Sequence, residues 1–234
     1  MKVIVTGASR GIGRGIASFL GKDGHTVALL ARSADLLAEV LESIRKQGGE
    51  GCCVPCDLRN PESVTKGIAQ AIDQLGGVDA LINNAGLVIR KDVFSIEPDE
   101  WRDMMDTNVN GLFYATRAVL PTMREQGYGH IVNISSISGH VPLPGGSAYA
   151  ASKFAVSGFS QSLFQEVRDY GIKVTTIYPG SVDSESHRHE PDADHSWKVQ
   201  PEEVGQAVRD LLQTSPTTVI SELEIRPLGR PPQK

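Results

Sequence analysis

Short apolar runs alternate with stretches of helical periodicity along the chain. Runs rich in β-branched residues and bounded by turn residues predict strands, whereas apolar residues three or four positions apart predict helices. Strands that alternate with helices of this length indicate parallel pairing through right-handed crossovers. We predict strands at residues 2–6, 26–31, 51–55, 78–82, 130–134, 173–178 and 222–226.

The segments between the predicted strands carry the helical pattern. Asn60 and Pro61 suit the N-cap and the first position of a helix. One long helix is predicted over residues 98–126, with a break near Asn108 and Gly111. Further helices are predicted at residues 34–48, 148–170 and 201–214.

Composition limits the class of protein. A chain of 234 residues, 40% of them hydrophobic, is long enough for one α/β domain over residues 1–234 with a sizeable core. A net charge of −5, a pI near 5.7 and the lack of a basic run argue against a nucleic-acid partner. No stretch approaches the roughly 20 apolar residues that cross a bilayer, and the first residues read as a strand rather than a signal peptide. We therefore expect a cytoplasmic protein with no membrane partner.

Two groups of residues could suggest a metal site, and we predict none. Cys53 and Cys56 would point to opposite faces of a strand, and no second Cys/His pair has zinc spacing. We interpret Cys52, Cys53 and Cys56 as small hydrophobic residues of that strand. Three histidines, His187, His189 and His195, lie among acids in the polar segment 183–200. A mobile charged lid over a substrate site explains that composition equally well.

A glycine-rich turn follows the first predicted strand. Gly7, Gly11 and Gly13 lie between this strand and a helical pattern, where main-chain N–H groups and a helix N-terminus can hold a pyrophosphate. A tight turn without a ligand is the alternative. The second strand ends at Arg32, about 20 residues beyond the glycines, where an acid would hold the ribose diol of NAD(H). A guanidinium there, with Arg10 in the turn, favours the 2′-phosphate of NADP(H).

Tyr149 and Lys153 lie four residues apart and therefore on one face of a helix. A neighbouring ammonium stabilises the tyrosinate, so we expect the pKa of Tyr149 to fall from about 10 towards neutrality. Such a phenol can deliver a proton to a carbonyl oxygen. Taken alone, the spacing is commonplace on exposed helices.

Polar or glycine-containing residues follow several predicted strands. They are residues 7–13, Arg32, Asp57, residues 83–86, Ser135, Ser136, Pro179 and Gly180. Because ligands bind beyond the carboxyl ends of parallel strands, these residues predict one ligand site. Asp57 and Leu58 are placed where an adenine could be contacted.

The sequence resembles the short-chain dehydrogenase/reductase family over nearly its whole length. The matching motifs are Thr6-Gly-Ala-Ser-Arg-Gly-Ile-Gly13, Asn83-Asn-Ala-Gly86, Asn108, Asn133-Ile-Ser-Ser136, Tyr149-Ala-Ala-Ser-Lys153 and Pro179-Gly-Ser-Val182. The resemblance implies a seven-stranded doubly wound sheet, a nicotinamide cofactor and interconversion of a carbonyl compound and its alcohol. It also implies pairing of the two long helices across subunits, and hence a homodimer or homotetramer.

The resemblance also implies residue roles. Tyr149 is expected to be the general acid, Lys153 to lower its pKa and bind the nicotinamide ribose, and Ser136 to orient the substrate oxygen. Asn108 is expected to hold a water in a proton relay. Plainer readings are a cap for Ser136, a polar kink for Asn108 and a solvated charge for Lys153. Besides Tyr149 and Lys153, the expected cofactor contacts are Gly7, Ser9, Arg10, Gly11, Ile12, Gly13, Arg32, Ser33, Asp57, Leu58, Asn84, Ala85, Gly86, Pro179, Gly180 and Val182.

We therefore expect an NADPH-dependent reductase of a small carbonyl compound. The chain departs from the family at Ser184, where a threonine is usual, and its lid has few apolar anchors, which favours a small polar substrate. One alternative is a reductase of 3-oxoacyl chains on acyl carrier protein. Another is a non-catalytic NADPH-binding sensor, although such relatives usually lose the tyrosine or the lysine.

Overall fold

A computed structural model describes residues 1–142, 144–184 and 194–229. Within these residues, seven parallel strands form one sheet in the order β3-β2-β1-β4-β5-β6-β7. The predicted parallel α/β sheet is confirmed. The strands are β1 Lys2–Thr6, β2 Thr26–Ala31, β3 Glu50–Pro55, β4 Ala80–Asn83, β5 Gly129–Ile134, β6 Ile172–Pro179 and β7 Glu222–Ile225.

The helices follow the predicted positions to within a few residues. They are α1 Gly11–Lys22, α2 Ala34–Lys46, α3 Pro61–Leu75, α4 Pro98–Met105, α5 Gly111–Gln126, α6 Ser147–Val167 and α7 Pro201–Leu212. Asn60 caps α3 as predicted, because its Oδ1 accepts hydrogen bonds from the amides of Glu62 (2.9 Å) and Ser63 (3.0 Å). The predicted break near Asn108 is one π-helical turn, Asp106–Asn110, which joins α4 to α5.

Two apolar layers cover the sheet, one on each face. Alternation along β1 sends Val3 and Val5 into the layer beneath α1, α2 and α7, and Ile4 into the layer beneath α3, α5 and α6. Both faces are therefore buried, which explains why the strands are continuously apolar. The strand order reverses between β1 and β4, and this switch point is where an open α/β sheet forms a crevice.

The three cysteines pack on both faces of the sheet. Cys53 contacts one apolar layer, whereas Cys52 and Cys56 contact the other, so the prediction of opposite faces for Cys53 and Cys56 is confirmed. Cys56 is buried, but Cys52 and Cys53 are only half-buried because β3 is the edge strand. Burial raises the pKa of all three thiols, which favours the uncharged form.

Candidate active site

A cleft of about 990 Å³ opens between the glycine-rich turn after β1 and helix α6. Its volume lies near the top of the range for small-molecule sites, roughly 300–1,000 Å³. The predicted site residues in its wall are Gly7, Ser9, Arg10, Gly11, Ile12, Arg32, Ser33, Asp57, Leu58, Asn84, Ala85, Gly86, Tyr149 and Lys153. The structure therefore brings predicted residues between positions 7 and 153 to one cleft.

The glycine-rich turn is shaped by close approach to its neighbours. Gly7 and Gly11 have φ angles of +66° and +52°, which a side chain would strain. A Cβ on Gly7 would lie 2.7 Å from the Cα of Ala85. Gly13 does not line the cleft; a Cβ there would lie 2.2 Å from the carbonyl oxygen of Gly7. The turn thus brings the N-terminus of α1 to the cleft wall, which suits a phosphate group.

Thr6 ties the glycine-rich turn to the loop after β4. Its Oγ1 accepts hydrogen bonds from the amides of Asn84 (3.1 Å) and Ala85 (3.2 Å) and donates to the carbonyl of Ile82 (3.3 Å). The Asn84 side chain donates in return to the carbonyls of Thr6 (3.0 Å) and Gly7 (3.3 Å). These bonds hold the two loops together at the switch point, so the floor of the cleft is preformed.

Asn108 projects from the π-helical turn into the interior. Its Oδ1 accepts a hydrogen bond from the Leu87 amide (2.6 Å), and its Nδ2 donates to the Leu87 carbonyl (2.9 Å) and to Ser152 Oγ (3.0 Å). Asn108 does not line the cleft itself, but Leu87 does. A Cβ on Gly86 would lie 3.5 Å from Asn108 Oδ1 and 3.6 Å from Lys153 Nζ, so the two polar groups converge beside Gly86.

The two serines after β5 point in different directions. Ser135 Oγ donates a hydrogen bond to the carbonyl of Lys153 (3.1 Å) and is buried against α6. Ser136 Oγ accepts a hydrogen bond from the Ser138 amide (3.1 Å), which caps the short 3-10 turn Ile137–Gly139. The Ser136 side chain also hydrogen-bonds to Tyr149. Because this bond lowers the pKa of Tyr149, the Ser136 hydroxyl is the donor and the phenol oxygen is the acceptor.

Lys153 is buried at the end of β5. Its Nζ donates a hydrogen bond to the carbonyl of Ile134 (2.9 Å) and lies 5.8 Å from the centroid of the Tyr149 ring. Burial lowers the pKa of Lys153 to about 8, because the ammonium loses its hydration. The ammonium therefore gives up its proton more readily than that of an exposed lysine.

The expected fall in the pKa of Tyr149 is not observed. Burial of the hydroxyl raises the pKa, while the hydrogen bond with Ser136 and the positive charge of Arg90 lower it by less. The ammonium of Lys153 is directed at the Ile134 carbonyl rather than at the phenol oxygen, which accounts for the difference. Arg90 was not predicted; an exposed arginine four residues after Gly86 gives no sign in the sequence that it reaches the tyrosine.

A charged group forms the end of the cleft near Arg32. Arg59 forms two hydrogen bonds with the Asp57 carboxylate: its Nε donates to Oδ1 at 3.2 Å, and its Nη2 donates to Oδ2 at 2.9 Å. Its Nη1 donates to Asp103 Oδ1 on α4 at 3.3 Å. Hydrogen bonds from Arg59 lower the pKa of Asp57, and the charges of Arg59 and Arg32 act in the same direction. Arg59 and Asp103 both line the cleft and were not predicted.

Some predicted contacts lie outside the cleft wall. Pro179 ends β6, the Gly180 amide donates to the Ile225 carbonyl (2.7 Å), and Val182 is buried and bridges to Val199. Other residues of the wall were not predicted, because their apolar or small side chains give no signal in the sequence. Besides Arg59 and Asp103, they are Ala31, Cys56, Leu87, Val88, Thr107, Ile134 and Ser184, of which Ser184 was noted only as a departure from the family pattern. Ser135 was predicted at the ligand site, though not as a cofactor contact, and it lies in the wall.

The segment predicted as a lid is described only at its ends. His195 Nδ1 lies 3.1 Å from Asp183 Oδ1, while His187 and His189 lie outside the described residues. Residues 1–142, 144–184 and 194–229 contain no group of three or more His, Cys, Asp or Glu side chains that could hold a metal ion. Among the helices of the same ranges, none combines the length and the apolar character that spanning a bilayer requires.

Comparison with known proteins gives consistent results. A family model described as short chain dehydrogenase matches residues 1–194. An uncharacterized oxidoreductase from Staphylococcus aureus (strain MRSA252) is 36% identical over 225 residues, which cover 96% of each chain. An alcohol dehydrogenase from the archaeon Thermococcus sibiricus, complexed with 5-hydroxy-NADP, has a TM-score of 0.90 and 29% identity, covering 99% of this chain and 98% of its own. A variant of actinorhodin polyketide ketoreductase with NADPH has a TM-score of 0.89 and 31% identity, and the match covers 96% of this chain and 95% of the ketoreductase chain.

Proposed function

The chain belongs to the short-chain dehydrogenase family, and on that basis we propose that it reduces a small carbonyl compound to its alcohol with NADPH, and catalyses the reverse oxidation with NADP⁺. One observation carries the proposal. Tyr149 and Lys153 line a cleft that also has Arg10 and Arg32 in its wall, and Ser136, just outside the wall, hydrogen-bonds to Tyr149. Arg32 follows β2, whereas Lys153 bonds to the end of β5, three strands away. Adjacent strands are about 4.8 Å apart, so these groups suit the two ends of an extended dinucleotide.

The wall of the cleft fits NADP(H). The glycine-rich turn lets the main chain and the N-terminus of α1 approach a pyrophosphate, since Gly7 and Gly11 have positive φ angles. Arg32 and Arg10 supply positive charge for the 2′-phosphate. Asp57 and Leu58 would contact the adenine, and Lys153 would hydrogen-bond to the nicotinamide ribose. We propose that the main chain at Pro179 and Gly180, with Val182, closes the nicotinamide end, and that Gly13 acts through the packing of the turn.

The chemistry assigned to the residues is proton transfer. The bound cofactor supplies a hydride to the carbonyl carbon. Tyr149 donates its hydroxyl proton to the carbonyl oxygen, and Ser136 turns its hydroxyl hydrogen from Tyr149 to that oxygen and orients it. The tyrosinate left behind is stabilised by the positive charge of Arg90. Asn108 holds Leu87 in the wall, and we propose that its turn also positions a water that returns a proton to Tyr149 through Lys153.

A substrate screen tests this function. Oxidation of NADPH by the purified protein is followed by absorbance with small ketones, diketones, aldehydes and oxo acids. We expect turnover with at least one class, and NADH to support it more weakly. Binding of NADPH without turnover of any compound would instead favour the non-catalytic sensor.

A second candidate substrate class has support from one comparison. The likeness to a polyketide ketoreductase favours 3-oxo groups on carrier-bound acyl chains. An acetoacetyl thioester of N-acetylcysteamine, assayed beside free acetoacetate, separates the two classes. A higher kcat/KM for the thioester would assign the protein to carrier-bound substrates.

We also propose a homodimer or homotetramer that pairs α4, α5 and α6 across subunits. Trp101, Phe113 and Phe154 are exposed on these helices, and the Phe113 ring meets Phe159 edge-on at 6.2 Å. Large exposed aromatic side chains on neighbouring helices are typical of an interface. Light scattering of the purified protein would give the subunit number.

The cytoplasmic location stays a prediction, which cell fractionation would test.

A further inference from the structure

Arg59 joins two walls of the cleft. The residue lies in the loop between β3 and α3, and its guanidinium bonds to Asp57 in the same loop and to Asp103 on α4. All three residues line the cleft, on the side where Arg32 acts on the Asp57 carboxylate. Arg59 is therefore part of the cofactor cleft, but its bonds go to carboxylates of the protein.

The charges in this part of the cleft wall show what Arg59 contributes. Asp57 and Asp103 bring two negative charges, and Arg10 and Arg32 bring two positive charges, so these four residues sum to zero. Arg59 makes the sum positive. A 2′-phosphate carries between one and two negative charges near neutral pH, and two uncompensated carboxylates in the same wall would repel it. Lys153, the remaining charged residue in the wall, bonds to the distant end of β5.

The hydrogen bonds of Arg59 distinguish charge compensation from direct capture of the phosphate. Three of its side-chain N–H donors are used: Nε and Nη2 form a two-pronged contact with Asp57, and Nη1 reaches Asp103. This fork matches the plane of a carboxylate and fixes the orientation of Asp57. Capture of a phosphate by the Nε and Nη2 donors of that fork would require the fork to turn away from Asp57.

We propose that Arg59 is a specificity-determining residue for NADP(H), which acts by neutralising Asp57 and Asp103 so that the cleft accepts a 2′-phosphate. This inference rests on the proposed function, in which Arg32 and Arg10 bind that phosphate. Arg59 positions Asp57 and cancels its charge; it is not itself a ligand of the phosphate.

Binding of two small probes tests the proposal without turnover. Adenosine 2′,5′-bisphosphate and adenosine 5′-monophosphate differ only in the 2′-phosphate, and calorimetry gives the Kd of each. We expect Arg59→Gln to weaken the bisphosphate about tenfold at low salt and the monophosphate much less, with the difference shrinking at high salt. Arg102→Gln is the matched control, because Arg102 is an exposed arginine of α4 paired with Asp99 outside the cleft wall. It should leave both Kd values unchanged.

A double variant separates neutralisation from direct contact. Arg59→Gln/Asp103→Asn also removes one of the two carboxylates that Arg59 neutralises. The Kd of this double variant for the bisphosphate should therefore return most of the way to that of the unsubstituted protein. Failure to recover would overturn the proposal, as would equal weakening of both probes by Arg59→Gln. Monophosphate binding reports a folded adenine site in each variant. Equal affinity of the unsubstituted protein for the two probes would refute the NADP(H) preference itself, and so distinguishes failure of the proposed function from failure of the role of Arg59.

Discussion

Lys153 Nζ donates a hydrogen bond to the main-chain carbonyl of Ile134, at 2.9 Å. This bond draws the ammonium to the end of β5 and leaves it 5.8 Å from the centroid of the Tyr149 ring. Ser136 and Arg90 are consequently the groups that lower the pKa of Tyr149, against the rise that burial causes. The availability of the phenolic proton thus depends on several groups, one of which lies outside the family motifs.

Removal of the Arg90 charge should move the pH dependence of alcohol oxidation. Oxidation requires Tyr149 without its proton, so the rate rises with pH through the pKa of this hydroxyl. Arg90 lowers that pKa, and Arg90→Gln should therefore shift the rising limb of kcat/KM to higher pH. Lys91→Gln is the control, because Lys91 pairs with Glu100 at 2.6 Å. A limb that stays in place in Arg90→Gln would show that this charge does not reach the tyrosine.

Reversal of the charge at Arg32 should change the cofactor preference. Arg32→Asp removes a charge-assisted contact with the 2′-phosphate and offers a carboxylate to the ribose diol of NADH. Loss of such a contact costs about 1.5–3 kcal/mol, so NADPH should bind roughly 10–100-fold more weakly. Arg14→Asp, an exposed change on α1 outside the cleft wall, is the control. Unchanged preference between NADPH and NADH would place the phosphate-binding group elsewhere.

His130 should make the protein less stable in mild acid. Its Nε2 lies 2.8 Å from Thr175 Oγ1, and Thr175 donates its own hydrogen to the Ile220 carbonyl (2.7 Å), so Nε2 of His130 carries a proton and donates it to Thr175. Burial first, and the charge of Lys173 second, lower the pKa of His130 to about 4, from 6.5. The folded state thus binds the proton less readily than the unfolded chain does.

The stability linked to His130 is present above pH 6.5 and is lost as the pH falls towards 4. The loss amounts to at most about 3 kcal/mol in the free energy of unfolding. Urea unfolding between pH 7.5 and about 4.5 measures it. His130→Gln should flatten this dependence relative to the partly exposed control His140→Gln. An equal slope in both variants would assign the acid sensitivity to other groups.

The local pattern predicted the parts of the fold that local chemistry determines. Alternation along β1 and the Asn60 cap could be predicted because both depend on neighbouring residues. The strand order reverses at β1 and β4, and this placed Gly7, Arg32, Asn84 and Tyr149 along one cleft.

Contacts distant in sequence account for what the pattern missed. Arg59 meets Asp103 across 44 positions, and Lys153 meets the Ile134 carbonyl rather than the phenol. The half-buried state of Cys52 depends on β3 being an edge strand, which only the strand order reveals. These properties depend on which elements pack together, and the spacing of residues along one segment does not predict that packing.

The central claim is that the Tyr149 hydroxyl supplies the proton in an NADPH-dependent reduction. Tyr149→Phe removes that hydroxyl and little else, and its rate of NADPH oxidation with a substrate of the unsubstituted protein is the most direct test. We predict that kcat falls by a factor of about 10²–10⁴, while the Kd for NADPH stays nearly unchanged. A Tyr149→Phe variant that turns over at the rate of the unsubstituted protein would contradict the account.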